Sequence, residues 1–504
     1  MSDRYLGAQT SRARTLYRVS PYRVPLELIR AGLRVKRACV RANATGGYLT
    51  GDEARAVEEA IDYFEGLPEA ELGSYFDLDA YQGGAGTATN MSLNEAIAAR
   101  AREASPRPGA AGPDRAAGPE GATGDPRPDG ATEGAAAAAI DPLDHVNLHQ
   151  STNDVMPTAL RLMLLNMFEP AEREIEALQT AIQEGETAHA DVLKTARTQL
   201  RDATVITAGR QFATWAGTLG RDRWRLFKAR ERLKEVNLGG TAVGTGLGAP
   251  RDYVLGVIRE LQRVTRHPVT RADDPVEATS NYDQLLEAME AVNIAAAGLQ
   301  RIASDIRLLA SGPGGGIGEI VLPAPVKGSS IMPGKVNPVQ AEAVVQASER
   351  IAANHGLLSR MCARGELELN AFLPAIAHGA WESLRLLTGA AHTLRDLVAS
   401  LEVDAARCEK NLEASHARVV ALLPLFGYAA CERIVAAARE RGMSLSGYLV
   451  TELGMAQADC EELLSTRNLT RLGYDPTRYG ELRRRYATLR ERLREHGVQE
   501  DSDD

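Results

Sequence analysis

Apolar side chains recur at steps of three and four residues along much of this chain, as they do on one face of an α-helix. The clearest stripe follows Tyr282 and includes alanines, whose small side chains allow a neighbouring helix to come close. It consists of Leu285, Met289, Val292, Ala296, Leu299, Ala303 and Ile306. This stripe predicts a long helix that packs against other helices.

Two further stretches carry helical patterns. No proline lies between Pro170 and Pro250, and this stretch predicts two long helices that meet at a break near residues 194–208. Residues 338–400 predict another long helical stretch, which Pro374 kinks or breaks. The chain shows neither alternating strands and helices nor an internal repeat. We therefore predict a mainly α protein with a central bundle of long helices.

Charge narrows the classes of function. The 504 residues include 58 Lys and Arg against 67 Asp and Glu, which gives a net charge of −9. A negative balance argues against a nucleic-acid binder and against binding to anionic membranes. The sequence shows neither an N-terminal leader pattern nor an apolar run of membrane length. We expect a cytoplasmic protein with no nucleic-acid partner and no membrane partner.

Metal ligands are not indicated by the cysteines or the histidines. No CxxC pair occurs, and the histidines are not spaced as zinc ligands. We interpret His378 and His392 as packed or solvent-facing residues of helices, and we predict no metal site. The five cysteines are expected to be buried free thiols of a reducing compartment. They are Cys39, Cys362, Cys408, Cys431 and Cys460.

Residues 106–138 contain no Val, Ile, Leu, Met or aromatic residue. Such a segment cannot bury enough apolar surface to offset the entropy lost on ordering. It is predicted to be a disordered loop, inserted between a helix that ends near Arg102 and a structured segment that resumes near Ile140.

Four segments rich in glycine and hydroxyl groups interrupt the predicted helices. Each lies beside a predicted helix start, where unpaired N–H groups and the helix dipole favour anions. Together they could form a pocket for a carboxylate or a phosphate. The glycines of the third segment are similar to a dinucleotide-binding fingerprint, but no predicted strand precedes them, which argues against a cofactor site there. The segments are YQGGAGTATNM (81–91), HQSTNDVMPTA (149–159), LGGTAVGTGLG (238–248) and KGSSIMPGKVNP (327–338).

The fourth segment has the most specific chemistry. Lys335 and Asn337 are two residues apart, so in extended backbone they offer a cation and an amide to one carboxylate. Ser329 and Ser330 lie on a glycine-flanked loop whose N–H groups could hold a developing oxyanion. The alternative is an ordinary loop that leads into a helix.

The second segment contains four consecutive residues of the types that cap helices, from Ser151 to Asp154. A single helix cap needs fewer such residues than four, so the additional ones favour ligand binding at this position. We assign Asp154 and Asn90 to structural roles.

In this order, the four segments resemble the fumarase/aspartase family, of which GSSIMPGKVNP is a specific signature. The similarity spans nearly the whole chain except the insertion. It implies a small N-terminal domain (1–148), a central helical bundle (149–400) and a small helical C-terminal domain (401–504). It also implies a homotetramer whose active sites are each formed by three subunits.

The resemblance implies reversible elimination from a small dicarboxylate of the succinyl type, giving fumarate. No cofactor is required, while activation by a divalent cation stays open. Catalysis must stabilise a doubly charged aci-carboxylate. By resemblance Ser329 is the general base. The implied substrate-binding residues are Thr87, Ser151, Thr152, Asn153, Thr198, Gln199, Ser330, Lys335 and Asn337, and the supporting residues are Gly328, Met332 and Glu342.

Three departures from the fumarase pattern favour an enzyme closest to L-aspartate ammonia-lyases. The sequence has AGT at residues 85–87 and STND at residues 151–154, and Gln199 stands where many members carry His. One alternative is a fumarase that acts on L-malate. Another is a lyase for a different succinyl compound, because Arg201 replaces a usual Gln. An inactive interaction protein is a third, which the intact signature argues against.

Deletion of residues 106–138 is expected to leave the melting temperature nearly unchanged. Shortening a flexible loop changes its closure entropy by less than about 1 kcal/mol. Differential scanning fluorimetry of the full chain and of the deletion variant measures this difference. A large drop in melting temperature would contradict a disordered insertion.

Overall fold

A computed structural model describes residues 5–104 and 140–495 of this chain. The loop predicted at 106–138 lies outside the described residues. The helix before it ends at Ala104, close to the predicted end near Arg102. Helices account for most of the described residues, which confirms the mainly α fold.

The helices follow one another from residue 8 to residue 495. The first ten are α1 (Ala8–Leu16), α2 (Leu26–Thr45), α3 (Gly51–Glu65), α4 (Glu69–Tyr75), α5 (Thr87–Ala104), α6 (Thr152–Ala188), α7 (Ala208–Arg232), α8 (Arg251–Thr265), α9 (Glu277–Ser280) and α10 (Asp283–Leu309). The others are α11 (Val339–Cys362), α12 (Leu373–Ser400), α13 (Ala405–Ser415), α14 (Leu423–Phe426), α15 (Tyr428–Glu440), α16 (Leu445–Thr451), α17 (Gln457–Leu463), α18 (Thr466–Thr470), α19 (Pro476–Arg485) and α20 (Ala487–Glu495).

Strands are short and occur as pairs. They are β1 (Leu193–Thr198), β2 (Arg201–Thr207), β3 (Glu235–Val236), β4 (Thr270–Arg271), β5 (Ile320–Val321) and β6 (Glu402–Val403). The pairs β1–β2 and β5–β6 are antiparallel, and β3–β4 is parallel.

The chain divides into two compact units, and five long helices (α6, α7, α10, α11 and α12) supply residues to both. The predicted domains 1–148, 149–400 and 401–504 stay a prediction. Unit 1 comprises Met1–Arg173, Trp224–Ala296 and Ser348–Thr388, and unit 2 comprises Glu174–Arg223, Ala297–Ala347 and Gly389–Asp504.

The stripe predicted after Tyr282 is buried along α10, as expected for a helix that packs against others. Leu308 lies off the stripe on the same helix and is exposed. Pro374 does not kink a helix. It is the second residue of α12, where a missing N–H is tolerated. The predicted helical stretch is broken before it, between the end of α11 at Cys362 and the start of α12 at Leu373.

The cysteines are all free and buried, as predicted. Among residues 5–104 and 140–495, no helix has both the length and the apolar character that crossing a bilayer requires.

In unit 2, the break predicted near residues 194–208 is a β-hairpin. Its register runs from Leu193 opposite Thr207 to Thr198 opposite Arg201, with an irregularity between Thr195 and Arg197. The two residues of its turn are Gln199 and Leu200. Because this turn lacks the Asn-Gly or similar pair that marks tight hairpins, the sequence pattern did not reveal the strands.

A buried carboxylate holds the base of this hairpin. Glu319, just before β5, lies 3.1 Å from Lys194 Nζ and accepts two hydrogen bonds from Arg197, at 2.8 and 3.1 Å. Asn411 of α13 donates a further bond at 3.0 Å. Burial alone would raise the pKa of Glu319, but the bonds from Arg197 and Asn411 and the charge of Lys194 outweigh it and lower the pKa. Glu319 thus joins the hairpin to β5 and α13.

Glu319→Gln is expected to lower the free energy of unfolding by about 3–5 kcal/mol at neutral pH, because the buried Lys194 and the half-buried Arg197 lose their counter-charge. The control is Glu402→Gln, on an exposed position of β6, with an expected change within about 0.5 kcal/mol. Thermal and denaturant unfolding of the original protein and of the two variants measures both changes in the free energy of unfolding.

The effect of Glu319→Gln depends on pH. A carboxyl whose pKa is lowered on folding contributes stability above its ordinary pKa and loses that contribution as the pH falls through the folded value. The difference between the original protein and the variant should therefore shrink below about pH 4.5. A difference that is constant with pH would contradict an ionic role for Glu319.

Candidate active site

The predicted site residues of unit 1 lie where two helices begin. Thr87 is the first residue of α5, and Ser151 immediately precedes α6. Asn90 Nδ2 donates to Thr152 Oγ1 over 3.2 Å, so the first turns of these helices are adjacent. Thr87 is exposed, while Ser151, Thr152 and Asn153 are half-buried. The structure therefore brings together the two segments that carry these four residues.

Reciprocal hydrogen bonds cap α6. Ser151 Oγ accepts the N–H of Asn153 at 3.2 Å, and Asp154 Oδ1 accepts the N–H of Ser151 at 3.0 Å. This arrangement satisfies donors that no helical bond can reach. At the start of α5, by contrast, the Thr87 hydroxyl donates to the carbonyl of Gly84, so it does not cap the helix.

Asp154 also holds the third glycine-rich segment. Its Oδ2 accepts the N–H groups of Gly239 and Thr241 at 3.1 and 3.0 Å. Asn153 Nδ2 donates to the carbonyl of Ala242 at 2.8 Å. Three of the four segments therefore meet in unit 1, and Asp154 has the structural role predicted for it.

Sequence analysis missed Lys36, which is fully buried on α2. Its Nζ donates to Asn147 Oδ1 at 2.7 Å and to Gln150 Oε1 at 3.0 Å. Asn147 Oδ1 also accepts from Asn90 Nδ2 at 3.2 Å, so amide groups connect the ammonium group to Thr152. A single lysine within a helical pattern carries no signal that could have revealed this network.

Burial shifts the titration of two groups here. Desolvation lowers the pKa of Lys36 to about 7, although the charge of Asp154 opposes this change. Burial raises the pKa of Asp154 to about 6, although backbone N–H groups stabilise its ionised form. A protonated Lys36 offsets the charge of the ionised Asp154 in the first turn of α6, which leaves the helix dipole and its N–H groups to attract an anion. This end of α6 is suited to hold a carboxylate.

The predicted residues Thr198 and Gln199 lie at the exposed tip of the hairpin in unit 2. Gln199 and Leu200 both have left-handed backbone, with φ of 54° and 61°. This conformation costs roughly 1–2 kcal/mol for each residue that has a Cβ. Strain of this kind is concentrated at functional positions, so it supports a binding role for the tip.

The fourth segment forms an exposed loop in unit 2. Ser329 Oγ accepts the N–H of Ile331 at 3.1 Å and the N–H of Met332 at 3.0 Å. Ile331 is 82% exposed and Met332 is 48% exposed, which is unusual for apolar side chains. Ser330 and Lys335 are also exposed. The loop therefore presents Ser330, Met332 and Lys335 to its surroundings, while Ser329 and Asn337 are half-buried.

The two ends of the loop are held together. Asn337 Nδ2 donates to the carbonyl of Gly328, so this side chain uses one amide proton within the loop. A Cβ at Gly328 would overlap the carbonyl oxygen of Lys335, and Gly334 has left-handed backbone at φ 79°. Both glycines are therefore required by the loop geometry.

Glu342, in the first turn of α11, lies 4.0 Å from Arg307. Within the described part of unit 2, no hydrogen bond or ion pair joins Gln199 to Glu342, or the hairpin tip to the loop of Ser329. No three His, Cys, Asp or Glu residues of the described chain come together as a group that could hold a metal.

Known proteins resemble this chain over most of its length. A family model described as lyase matches residues 1–353. Fumarate hydratase class II of Myxococcus xanthus is 36% identical over 447 residues, which cover 88% of this chain and 90% of the relative. Aspartate ammonia-lyase of Pseudomonas aeruginosa is 37% identical over 474 residues, which cover 93% of this chain and 94% of the relative.

A solved structure agrees with these sequence relatives. Fumarate lyase:delta crystallin from Brucella melitensis, bound to cobalt, matches with a TM-score of 0.82 and 35% identity. The match covers 92% of this chain and 96% of that chain. With a family model over most of the sequence and relatives above 30% identity, this chain belongs to the fumarase/aspartase family of lyases.

Proposed function

We propose that this chain catalyses the reversible elimination of ammonia from L-aspartate to give fumarate. The observation that carries the choice of substrate is Gln199, beside Thr198 at the hairpin tip. Glutamine donates and accepts hydrogen bonds but does not deliver a proton near neutral pH, as histidine does. A reaction whose leaving group needs no proton is therefore favoured.

The leaving groups differ in this respect. When the C–N bond of L-aspartate breaks, the bonding pair goes to nitrogen, and the substrate ammonium departs as neutral ammonia. Hydroxide leaving from L-malate is a poor leaving group unless an acid protonates it. Glu342, which a histidine at position 199 could have paired with, lies beside Arg307 instead.

Ser329 is proposed as the base that removes the proton from the substrate carbon next to a carboxylate. As the C–H bond breaks, its electron pair moves into that carboxylate and gives the aci-form, and the C–N bond then breaks to form fumarate. The N–H groups of Ile331 and Met332 donate to Ser329 Oγ and would stabilise its alkoxide. This contact supports Ser329 as the base.

The substrate carboxylates need separate binding groups. Lys335, Asn337 and Thr198 are proposed to hold one carboxylate. Thr87, Ser151 and Thr152 are proposed to hold the carboxylate that becomes the aci-form, with Asn153 and Gln199 facing the leaving group and Ser330 helping to bind the enediolate. The dipole of α6 and the nearby Lys36 support an anion at the second position.

We further propose a homotetramer in which three subunits form each site. The exposed apolar residues Ile331 and Met332 support this assembly, because such side chains are commonly covered at an interface. The exposed hairpin tip also supports it, because a bound dianion must be enclosed by several groups. The five buried free thiols support a reducing, cytoplasmic location. The proposal requires no cofactor.

The second candidate is a fumarase that uses L-malate. Its support is the M. xanthus relative, named a fumarate hydratase, whose 36% identity is nearly equal to that of the P. aeruginosa ammonia-lyase. Arg201, exposed beside the hairpin turn, supports a third substrate of the succinyl type that carries additional negative charge.

Purified protein incubated with L-aspartate is expected to form fumarate, which is followed by its ultraviolet absorbance. Parallel incubations contain L-malate and other succinyl compounds at equal concentration. If the absorbance rises with L-malate but not with L-aspartate, the fumarase proposal replaces the ammonia-lyase proposal. No rise with any of them would contradict the lyase proposal.

Ser329→Ala is expected to lower kcat by about 10²–10⁴-fold, the usual contribution of a positioned base. The melting temperature should hardly change, because the Ser329 side chain lies in an exposed loop. Ser74→Ala, at a position of α4 that is half-buried as Ser329 is, serves as the control and should retain full activity. Near-full activity of Ser329→Ala would refute the assignment of the base.

A further inference from the structure

The buried Lys36 fixes the orientation of the two carboxamides that it contacts. Its Nζ donates to Asn147 Oδ1 at 2.7 Å and to Gln150 Oε1 at 3.0 Å. A lysine ammonium group has three donors and no acceptor, so each carboxamide must turn its oxygen toward it and its NH₂ group away. The other bonds agree with this orientation, because the amide nitrogens of Asn147 and Gln150 donate to backbone carbonyls at 3.0–3.2 Å.

The orientation of Asn147 in turn fixes two asparagines of α5. Asn147 Oδ1 also accepts from Asn90 Nδ2 at 3.2 Å and from Asn94 Nδ2 at 3.1 Å. The carboxamide oxygens of Asn90 and Asn94 are buried and have no hydrogen-bond partner among the described residues. A buried acceptor without a partner is unfavourable. The contact with Asn147, and not the needs of the two asparagines themselves, therefore decides which way they face.

The last member of this network is Thr152, at the start of α6. Asn90 Nδ2 donates to Thr152 Oγ1 at 3.2 Å, so the threonine hydroxyl is the acceptor in this bond. A hydroxyl group has one proton and two lone pairs, so Thr152 keeps its proton for a further acceptor. No described residue accepts that proton. The hydroxyl of Thr87, by contrast, already donates to the carbonyl of Gly84 at 2.6 Å.

The opposite orientation of Asn90 would have the opposite effect. With its oxygen toward α6, Asn90 would accept the hydroxyl proton of Thr152, which would leave only lone pairs on Thr152 for a ligand. Lone pairs repel a carboxylate, whereas a hydroxyl proton binds it. The direction of one hydrogen bond therefore decides whether Thr152 attracts or repels an anion.

We propose that Lys36 is a positioning residue for substrate binding. Through Asn147 and Asn90, it keeps the hydroxyl proton of Thr152 available for the substrate carboxylate. The proposal rests on the carboxylate-binding role of Thr152 under the proposed function, and it adds what makes that hydroxyl a donor. Lys36 acts through two side chains, so it needs no contact with the substrate itself.

The test is a double-mutant cycle on the dissociation constant of succinate, a dicarboxylate that has no leaving group, measured by calorimetry on the full-length protein. Thr152→Val removes the hydroxyl, and Lys36→Met removes the donors from a chain of similar length. Each single variant is expected to weaken binding by about 10- to 100-fold, because a hydrogen bond to a charged group is lost. In the Thr152→Val background, Lys36→Met should weaken binding by less than about threefold further, because the hydroxyl through which it acts is absent.

The control cycle pairs Lys36→Met with Thr198→Val. Thr198 lies at the hairpin tip and is proposed to bind the other carboxylate, so the two effects on succinate affinity should multiply. Asn147→Leu interrupts the same network at its second member and should show the same non-additivity with Thr152→Val. It provides an independent measurement if Lys36→Met folds poorly. Melting temperatures of all variants are measured in parallel, because a loss of stability alone would not depend on whether the Thr152 hydroxyl is present.

Multiplying effects of Lys36→Met and Thr152→Val would overturn the proposal. Unchanged succinate affinity in a folded Lys36→Met or Asn147→Leu variant, or no binding of succinate to the original protein, would also overturn it. The readout is binding and not turnover. Failure of the elimination assay with L-aspartate, with the coupling to Thr152 intact, would therefore contradict only the proposed reaction.

Discussion

Buried carboxylates that accept hydrogen bonds hold the irregular backbone of this chain in place. Asp154 binds three backbone N–H groups at the start of α6, and Glu319 binds Lys194, Arg197 and Asn411 below the hairpin. Irregular segments have no helical or strand ladder to satisfy their polar groups, so they need such partners when they are buried. An ionised acceptor makes the strongest hydrogen bonds available for this purpose.

The residues proposed for catalysis lie on the segments that these carboxylates and the long helices support. Thr152 and Asn153 begin α6, and Thr198 and Gln199 lie at the tip of the braced hairpin. The loop of Ser329 is held by its own bond from Asn337 to Gly328. Reactive groups on short, tied segments have fixed positions even where they are exposed, which suits a reaction that needs several groups aimed at one dianion.

Much of the fold could be predicted because its signals are local. The stripe from Leu285 to Ile306 predicted α10, and the glycine- and hydroxyl-rich segments at 81–91, 149–159, 238–248 and 327–338 each lie at or just before the start of a helix. The strands β1 and β2 could not be predicted, because left-handed residues at Gln199 and Leu200 replace the usual turn residues. Lys36 was also beyond prediction, since it sits within an ordinary helical pattern.

The sequence by itself determined the long helices, the helix starts that present polar groups, the free cysteines and the family signature around Ser329. These features follow from the types and spacing of residues within a few positions of one another, so the local chain is enough to specify them. Only the tertiary structure decided that Asp154 ties 149–159 to 238–248 and that Glu319 supports the hairpin. It also decided which titratable groups lose water, because burial and long-range hydrogen bonds depend on residues that are distant in sequence.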